Sequence, residues 1–521
     1  MNRRAFLAAA LAAPAIARAE SQRVLKFIPQ SDITTLDPMW TTASVSRCHG
    51  LMVFDTLYGM DNQWQAQPQM VAGHTVNADR TLWELTLRDG LRFHDGTPVL
   101  ARDAVASIRR WWQRDAFGAV LASRTAEISA PTDKLIRLRL TKPFALVPDA
   151  LAVIISVPVI MPERLALTDP FTAVTEMIGS GPFRFKADER VTGSRLVYEK
   201  FDGYIPRPDG KPEFAAGPKI VHFDRVEWTV IPDPSTAAAA LTSGEFDWWE
   251  NPTLDLVPSL RRNKDLTVTV KDRTALNAIM RFNALYPPFD NAAIRRQVVS
   301  AIDQHDFTQA AAGAAPDLIV PGKAGLFVPG TPMASDAGVD ALQGPRDPAT
   351  MRAALAQAGY KGERIVVLIA SDSPAQNAIG QVGADLLKQI GFNVDAQVTD
   401  WGTVQQRRGS KAPIDKGGWS IFYTLQTSTQ NITPAAAVSL RSDGKGWYGW
   451  PTDPAMEALR EAWFDAPDLA AQQAICRDMQ LAFWRNPSYA PLGMFFQPTA
   501  YHTSLTGIRE GLAQFYGVRR T

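Results

Sequence analysis

Few side chains in this 521-residue chain have the type and spacing that chemistry requires. The six histidines, His49, His74, His94, His222, His305 and His502, are scattered. They offer no H-E-x-x-H pattern or neighbouring pair for a metal. Cys48 and Cys476 are the only cysteines, which excludes a disulfide framework and a thiolate metal cluster; a free buried thiol at each is expected. Gly179-Ser180-Gly181 reads as a turn and lacks the G-x-S-x-G form of a nucleophile elbow. Gly322-Lys323 has no Ser or Thr after the lysine, so it is no phosphate loop. Glu245, Asp247 and Glu250 flank Trp248-Trp249; paired carboxylates serve glycoside hydrolysis, but a solvated strand end is the plainer reading. The expectation is therefore no catalytic residue, no metal and no cofactor.

The chain does hold an aromatic stretch without charge, Trp419 to Leu440. Trp419, Phe422 and Tyr423 supply stacking faces, and Thr424, Gln426, Ser428 and Asn431 supply hydrogen-bonding groups. Apolar faces with a few orienting polar groups make a ligand wall. A buried strand followed by a polar loop has the same composition.

The elements that must position this wall are legible from periodicity. Trp83, Leu85 and Leu87 alternate with polar residues, Asp89-Gly90 predicts a hairpin turn, and Leu91 and Phe93 alternate again before Asp95-Gly96. Ile136 to Leu140 and Val226 to Val230 predict further strands. Val105, Ile108 and Trp112 share one helical face, and Asp233-Pro234 opens a helix that stops at Gly244. The second half changes rhythm. A helix over 290–303 precedes one opened by Asp347-Pro348, a strand over 364–370, a helix over 373–390 and a strand over 392–398. That alternation predicts a parallel sheet with right-handed crossovers. Helices over 453–464 and 469–484 precede a last strand over 490–496.

Lys plus Arg number 54 against 53 Asp plus Glu, so no polybasic surface for nucleic acid is implied. The first residues read as an export signal. Arg3-Arg4 precede a short alanine-rich apolar run, and Ala17-Arg18-Ala19 is a cleavage site. Arg3-Arg4-Ala5-Phe6-Leu7 also has the twin-arginine order. Cleavage after Ala19 removes three arginines and no acid, turning a formal charge of +1 into −2. No later apolar run is long enough to span a bilayer, so no membrane insertion is expected.

Several segments in order resemble one family. Leu36-Asp37-Pro38, Val53-Phe54-Asp55-Thr56-Leu57-Tyr58, the run from Thr81 to Pro98, Gly179-Ser180-Gly181-Pro182-Phe183, Ser243-Gly244-Glu245-Phe246-Asp247, Arg281-Phe282-Asn283 and Pro287-Pro288-Phe289-Asp290-Asn291 are similar to extracellular solute-binding proteins of family 5. That family includes dipeptide-, oligopeptide- and nickel-binding components of ABC importers. The resemblance implies an α/β, two-lobed periplasmic binding protein fold of type II in its large family-5 form. It implies an extra β-rich subdomain in the first lobe and a ligand cleft between the lobes. The expected layout is a signal peptide over 1–19, a first lobe over 20–275 and 490–521 with its subdomain at about 70–185, and a second lobe over 276–489. Implied partners are a small organic ligand and the permease subunits of an ABC transporter; the expected state is a periplasmic monomer.

Peptide-binding members carry an aspartate three residues after the tryptophan of a Gly-Trp motif, where it pairs with the peptide α-ammonium. Here Gly418-Trp419 fits, and Phe422 stands at the aspartate position. A buried ammonium without a counter-charge is costly, so a ligand lacking a free α-amine there is expected. By the same resemblance the site draws on Trp40, Thr41, Thr42, Asn283 and Trp401 beside Trp419, Phe422 and Tyr423. An exported hydrolase and a receptor-type binding protein feeding a sensor are the alternatives; turnover would mark the first and the absence of permease partners the second.

Overall fold

The computed structural model describes residues 23–521, and the expected signal peptide lies outside the described residues. The chain divides into two compact units: one runs to Arg273 and resumes at Pro498–Thr521, and the other is Thr274–Gln497.

The first unit is built on a seven-stranded sheet. Val24–Ile28 lies inside it, parallel to both Arg225–Thr229 and Trp248–Trp249. Thr499–His502, from the end of the chain, runs antiparallel between Trp248–Trp249 and Leu266–Thr269. Aromatic rings fill the space against this sheet: Phe27 meets Phe515, Trp248 and Trp228 at centroid distances of 4.9, 5.0 and 5.3 Å. Trp248 satisfies its indole N–H on the Thr499 hydroxyl at 2.6 Å, as buried tryptophans usually do.

A separate four-stranded antiparallel sheet lies inside the 70–185 segment. Leu82–Leu87 pairs with Val71–Val76 and Leu135–Leu140, and Trp83, Leu85 and Leu87 are buried as the alternation requires. The hairpin predicted at Asp89-Gly90 does not form, because Leu82–Leu87 already has strands on both sides. Leu91 and Phe93 are buried; the chain does turn at Asp89-Gly90, with Gly90 at φ +78°, and turns again at Asp95-Gly96, where Phe93 N–H donates to Thr97 O at 2.8 Å. The helix Ala101–Trp111 buries Val105 and Ile108. The tryptophan it buries with them is Trp111 rather than Trp112, and the Trp111 indole N–H donates to Ser156 O at 2.7 Å.

Two buried ion pairs clasp the early motifs. Asp37 accepts from Arg110 at 2.8 Å and from Val174 N–H at 2.9 Å. Asp55 accepts from Lys219 at 2.8 Å and from the Tyr204 hydroxyl at 2.8 Å. Removing one member would strand a buried charge, at about 3–5 kcal/mol.

The second unit holds a five-stranded sheet. Arg364–Ala370 lies parallel to Asn393–Thr399 and to Ile421–Thr427. Leu276–Phe282 then runs antiparallel to both Ile421–Thr427 and Tyr489–Phe495. The sheet is therefore mixed, not wholly parallel, because Leu276–Phe282 and Tyr489–Phe495 are not linked through βαβ crossovers. Tyr489–Phe495 belongs to this sheet, so the second unit extends to Gln497 rather than ending at 489. The helices follow their capping signals: Asp347 accepts from Thr350 N–H ahead of Pro348–Gln357, and Asp453 caps Pro454–Phe464. Cys48 and Cys476 are buried and unbridged.

Candidate functional site

The groups considered for catalysis are committed to local structure. The Ser180 hydroxyl donates to Ile160 O and accepts from Asp55 N–H. His49 lies against the Tyr198 hydroxyl at 2.9 Å, and burial lowers its pKa to about 3. His94 sits between Gly181 O and Gly179 N–H, with a pKa lowered to about 4, chiefly by burial. Asp247 pairs with Arg520, Glu250 is buried and accepts from Gln30 N–H, and Glu245 is exposed. Among the described residues no three His, Cys, Asp or Glu side chains group as a metal site.

The uncharged stretch forms the strand Ile421–Thr427 in the middle of the second sheet. Side chains of a strand alternate between faces, and this separates the three expected rings. Phe422 stands beside Leu368 and directly across from Arg281. Tyr423 points to the other face, beneath the helix Pro374–Gln389, and does not join the wall. Its ring occupies space that only a glycine leaves, since a Cβ on Gly383 would lie 2.2 Å from the Tyr423 hydroxyl.

Trp419 and Phe422 pack at 5.1 Å in a cluster with Val366, Leu368, Val404 and Trp450. They are 1% and 0% exposed, so they form the floor of the aromatic face and not its open surface. The rim consists of Trp401, Trp447 and Tyr448, all partly buried against that cluster. Trp447 lies 5.9 Å from Phe422 and 5.6 Å from Tyr448. The segment Gly446-Trp447-Tyr448-Gly449-Trp450 is fastened by Ala284 N–H donating to Gly449 O at 2.8 Å. Gly449 has φ +92°, and a Cβ there would meet Phe282 O at 2.2 Å. That glycine-spaced aromatic run was visible in the sequence, but it lies beyond the uncharged stretch and was missed.

Asn283 is a clasp for the floor: its amide donates to Trp419 O at 2.8 Å, and its backbone N–H to Ser420 O at 2.9 Å. Trp401 opens the helix Trp401–Arg407, its N–H donating to Asp372 at 2.8 Å. Trp40, Thr41 and Thr42 belong to the first unit. Trp40 is 38% exposed, with the Arg114 guanidinium 5.2 Å above its ring. Thr41 accepts from Ala43 N–H ahead of the helix Ser44–Val53, and Thr42 is exposed.

Cations missed by the sequence reading line the same face. Arg281 is fully buried, lies 4.9 Å over Trp447 and donates to Tyr448 O and Ser439 O at 2.6 and 2.9 Å. Burial pulls its pKa down to about 9. Arg408 stands over Tyr448, Trp401 and Phe422 at 4.6, 5.1 and 5.5 Å, and Lys411 over Trp450 at 5.1 Å. Each of the three lies over aromatic rings, and no ion pair with a carboxylate joins any of them among the described residues.

This face lies in a chain with clear relatives. The family described as bacterial extracellular solute-binding proteins, family 5 (middle region), matches residues 65–443. A probable peptide ABC transporter periplasmic-binding protein of Sinorhizobium fredii is 36% identical over 507 residues, covering 96% of this chain and 94% of that protein. Among solved structures, a periplasmic binding protein of A. tumefaciens R10 in complex with agropinic acid matches with a TM-score of 0.78 at 20% identity, covering 96% of this chain and 99% of its own. A dipeptide-binding protein of Pseudoalteromonas sp. SM9913 in complex with Met-Leu matches with a TM-score of 0.79 at 18% identity, covering 96% and 100%. These structures share the two-lobed periplasmic binding protein fold, and the chain belongs to the bacterial extracellular solute-binding proteins of family 5, the solute-capturing components of ABC importers.

Proposed function

We propose that this protein is exported to the periplasm, where as a monomer it captures a small organic solute without a free α-amine and yields it unchanged to the permease. The observation that carries this reading is Phe422. By the family resemblance it takes the position of the aspartate of peptide-binding members, and its cross-strand neighbour is the buried Arg281. A ligand ammonium at that point would meet an arginine and no acid, which is unfavourable in a water-poor site. A peptide-like or modified amino-acid-like solute remains, in keeping with the names of the relatives. In this reading Trp401, Trp447 and Tyr448 stack on the solute, Trp419 and Phe422 support them, and Asn283 holds the support in place. Trp40 is the stacking candidate of the first unit, with Thr41 and Thr42 beside it in sequence; Tyr423 serves packing.

Native mass spectrometry of protein purified without refolding tests the reading. The expected co-purifying molecule has a blocked or absent α-amine; a free-amine peptide bound at full occupancy would refute it.

A further inference from the structure

We infer that Arg281 is a positioning residue of the aromatic face: it pins the loop over 442–453 to the second sheet, and through that loop sets Trp447 and Tyr448 at the rim. The inference deepens the proposed function, and rests on it only in taking these two rings to stack on the solute.

The loop is closed at its base and loosely specified at its tip. Asp453 N–H donates to Ser442 O and Gly444 N–H to Pro451 O at 2.8 and 2.9 Å, and Asp443 bridges Thr452, so the ends meet as in an Ω-loop. Gly444, Gly446 and Gly449 punctuate the span between them, the first and last at φ +74° and +92°, and glycine leaves a backbone the most freedom to lose. The rim therefore takes its place from whatever holds the tip from outside. The ladder of the strand beneath cannot do this, because Leu276–Phe282 is already paired on both sides.

Arg281 does it with a side chain. It stands between Phe422 and Tyr489 in the register and reaches two separate stations. Nη1 donates to Ser439 O, ahead of the loop, at 2.9 Å, and Nε donates to Tyr448 O, at the tip, at 2.6 Å. The guanidinium also lies 4.9 Å over the Trp447 ring. Gly449 completes the seat: Ala284 N–H donates to its carbonyl at 2.8 Å, and a Cβ there would come within 3.0 Å of Arg281 Nε. A rigid fork of donors can span two carbonyls, whereas a lysine ammonium is a point charge on a flexible stem. Packing alone does not account for the residue. It is fully buried, and no acid compensates it among the described residues; an apolar side chain of similar volume often fills such a place without loss of stability. What an apolar side chain cannot do is join Ser439 to Tyr448.

The test follows the ligand-free mature chain by hydrogen exchange, read peptide by peptide. It adds fluorine NMR of protein labelled with 5-fluorotryptophan, the Trp447 resonance being assigned through W447F. In R281M the amides of 444–450 should exchange about tenfold or more faster, and the Trp447 resonance should move towards that of the free amino acid. The amides of Arg364–Ala370 should keep their protection, and R281K should recover part of both signals. Unchanged exchange and resonance in R281M overturn the inference. So does full recovery in R281K, since one station would then suffice. A loss of protection spread evenly over the second unit also overturns it, making Arg281 a support of the whole sheet. Should R281M unfold, R281K against the unmodified chain carries the decision. Equal occupancy by the co-purifying solute in a loosened R281M, read by native mass spectrometry, would overturn the service of Arg281 to capture. A free-amine peptide at full occupancy would overturn the proposed function and leave the exchange results as they are.

Discussion

Replacing Trp419 and Trp447 separately by alanine distinguishes the floor of the aromatic face from its rim. Trp419 is 1% exposed and touches Phe422 and Trp450 at 5.1 and 6.1 Å. Truncating a buried aromatic to alanine costs about 3–5 kcal/mol. The Trp419 indole N–H is buried without a partner, so its removal returns about 1 kcal/mol, leaving a net loss of roughly 2–4 kcal/mol. For a unit of this size each kcal/mol lowers the melting temperature by about 2–4 °C, so the second unit of Trp419→Ala should melt roughly 4–16 °C lower. Trp447 is only partly buried. Its truncation should cost the fold about 1 kcal/mol but weaken solute binding about tenfold or more, the scale of an aromatic anchor. Calorimetric melting of ligand-free protein, paired with titration of the co-purified solute, reads both quantities. A Trp419→Ala variant that melts normally yet loses its ligand would make Trp419 a contact and refute the floor assignment. Unchanged affinity in Trp447→Ala would remove the rim from the site.

Three further outcomes are expected. Gly383→Ala should destabilise the second unit, because the new methyl meets the Tyr423 hydroxyl at 2.2 Å; Tyr423→Phe alone should be neutral or stabilising by up to about 1 kcal/mol, since that hydroxyl is buried without a partner, and combining the two should recover part of the loss in urea melts. Burial holds the folded-state pKa of His49 near 3, below its ordinary 6.5, so the unfolded chain binds the proton first as pH falls; the contribution is complete above about pH 6.5, declines towards pH 3, and should flatten in His49→Gln when stability is followed against pH. Replacing Arg3-Arg4 by Lys-Lys should leave an unprocessed precursor in the cytoplasm on immunoblots, whereas normal processing would assign export to the general secretion route.

Much of the fold is legible because local signals and tertiary demands agree. Arg364–Ala370 is an apolar run long enough to be an interior strand and no longer. Pro348–Gln357 carries its aspartate cap and proline at the start. The readings that failed are those in which a distant segment competes. Nothing near Asp89-Gly90 announces that Leu82–Leu87 will pair with Leu135–Leu140 instead. The site divides in the same way. Aromatic composition pointed to the strand holding Trp419 and Phe422, but composition is silent on depth, and these rings lie beneath the surface of the face. Arg281 stands in the sequence only as part of the Arg281-Phe282-Asn283 segment, and Arg408 as one more isolated arginine of the kind that reads as solvated charge. Only the cross-strand register and the folded position of Gly446–Trp450 bring them to the rings.

The strand Thr499–His502 fixes the order in which the chain can mature. It sits inside a sheet whose earliest strand is Val24–Ile28, yet it is synthesised after everything in the second unit. During translation the second unit, one continuous segment, has all its strands before the first sheet receives its last interior member. The first sheet can close only once the whole second unit has been synthesised. A frameshift or protease cut that removes Pro498–Thr521 would therefore damage the unit synthesised first and spare the one beside the break.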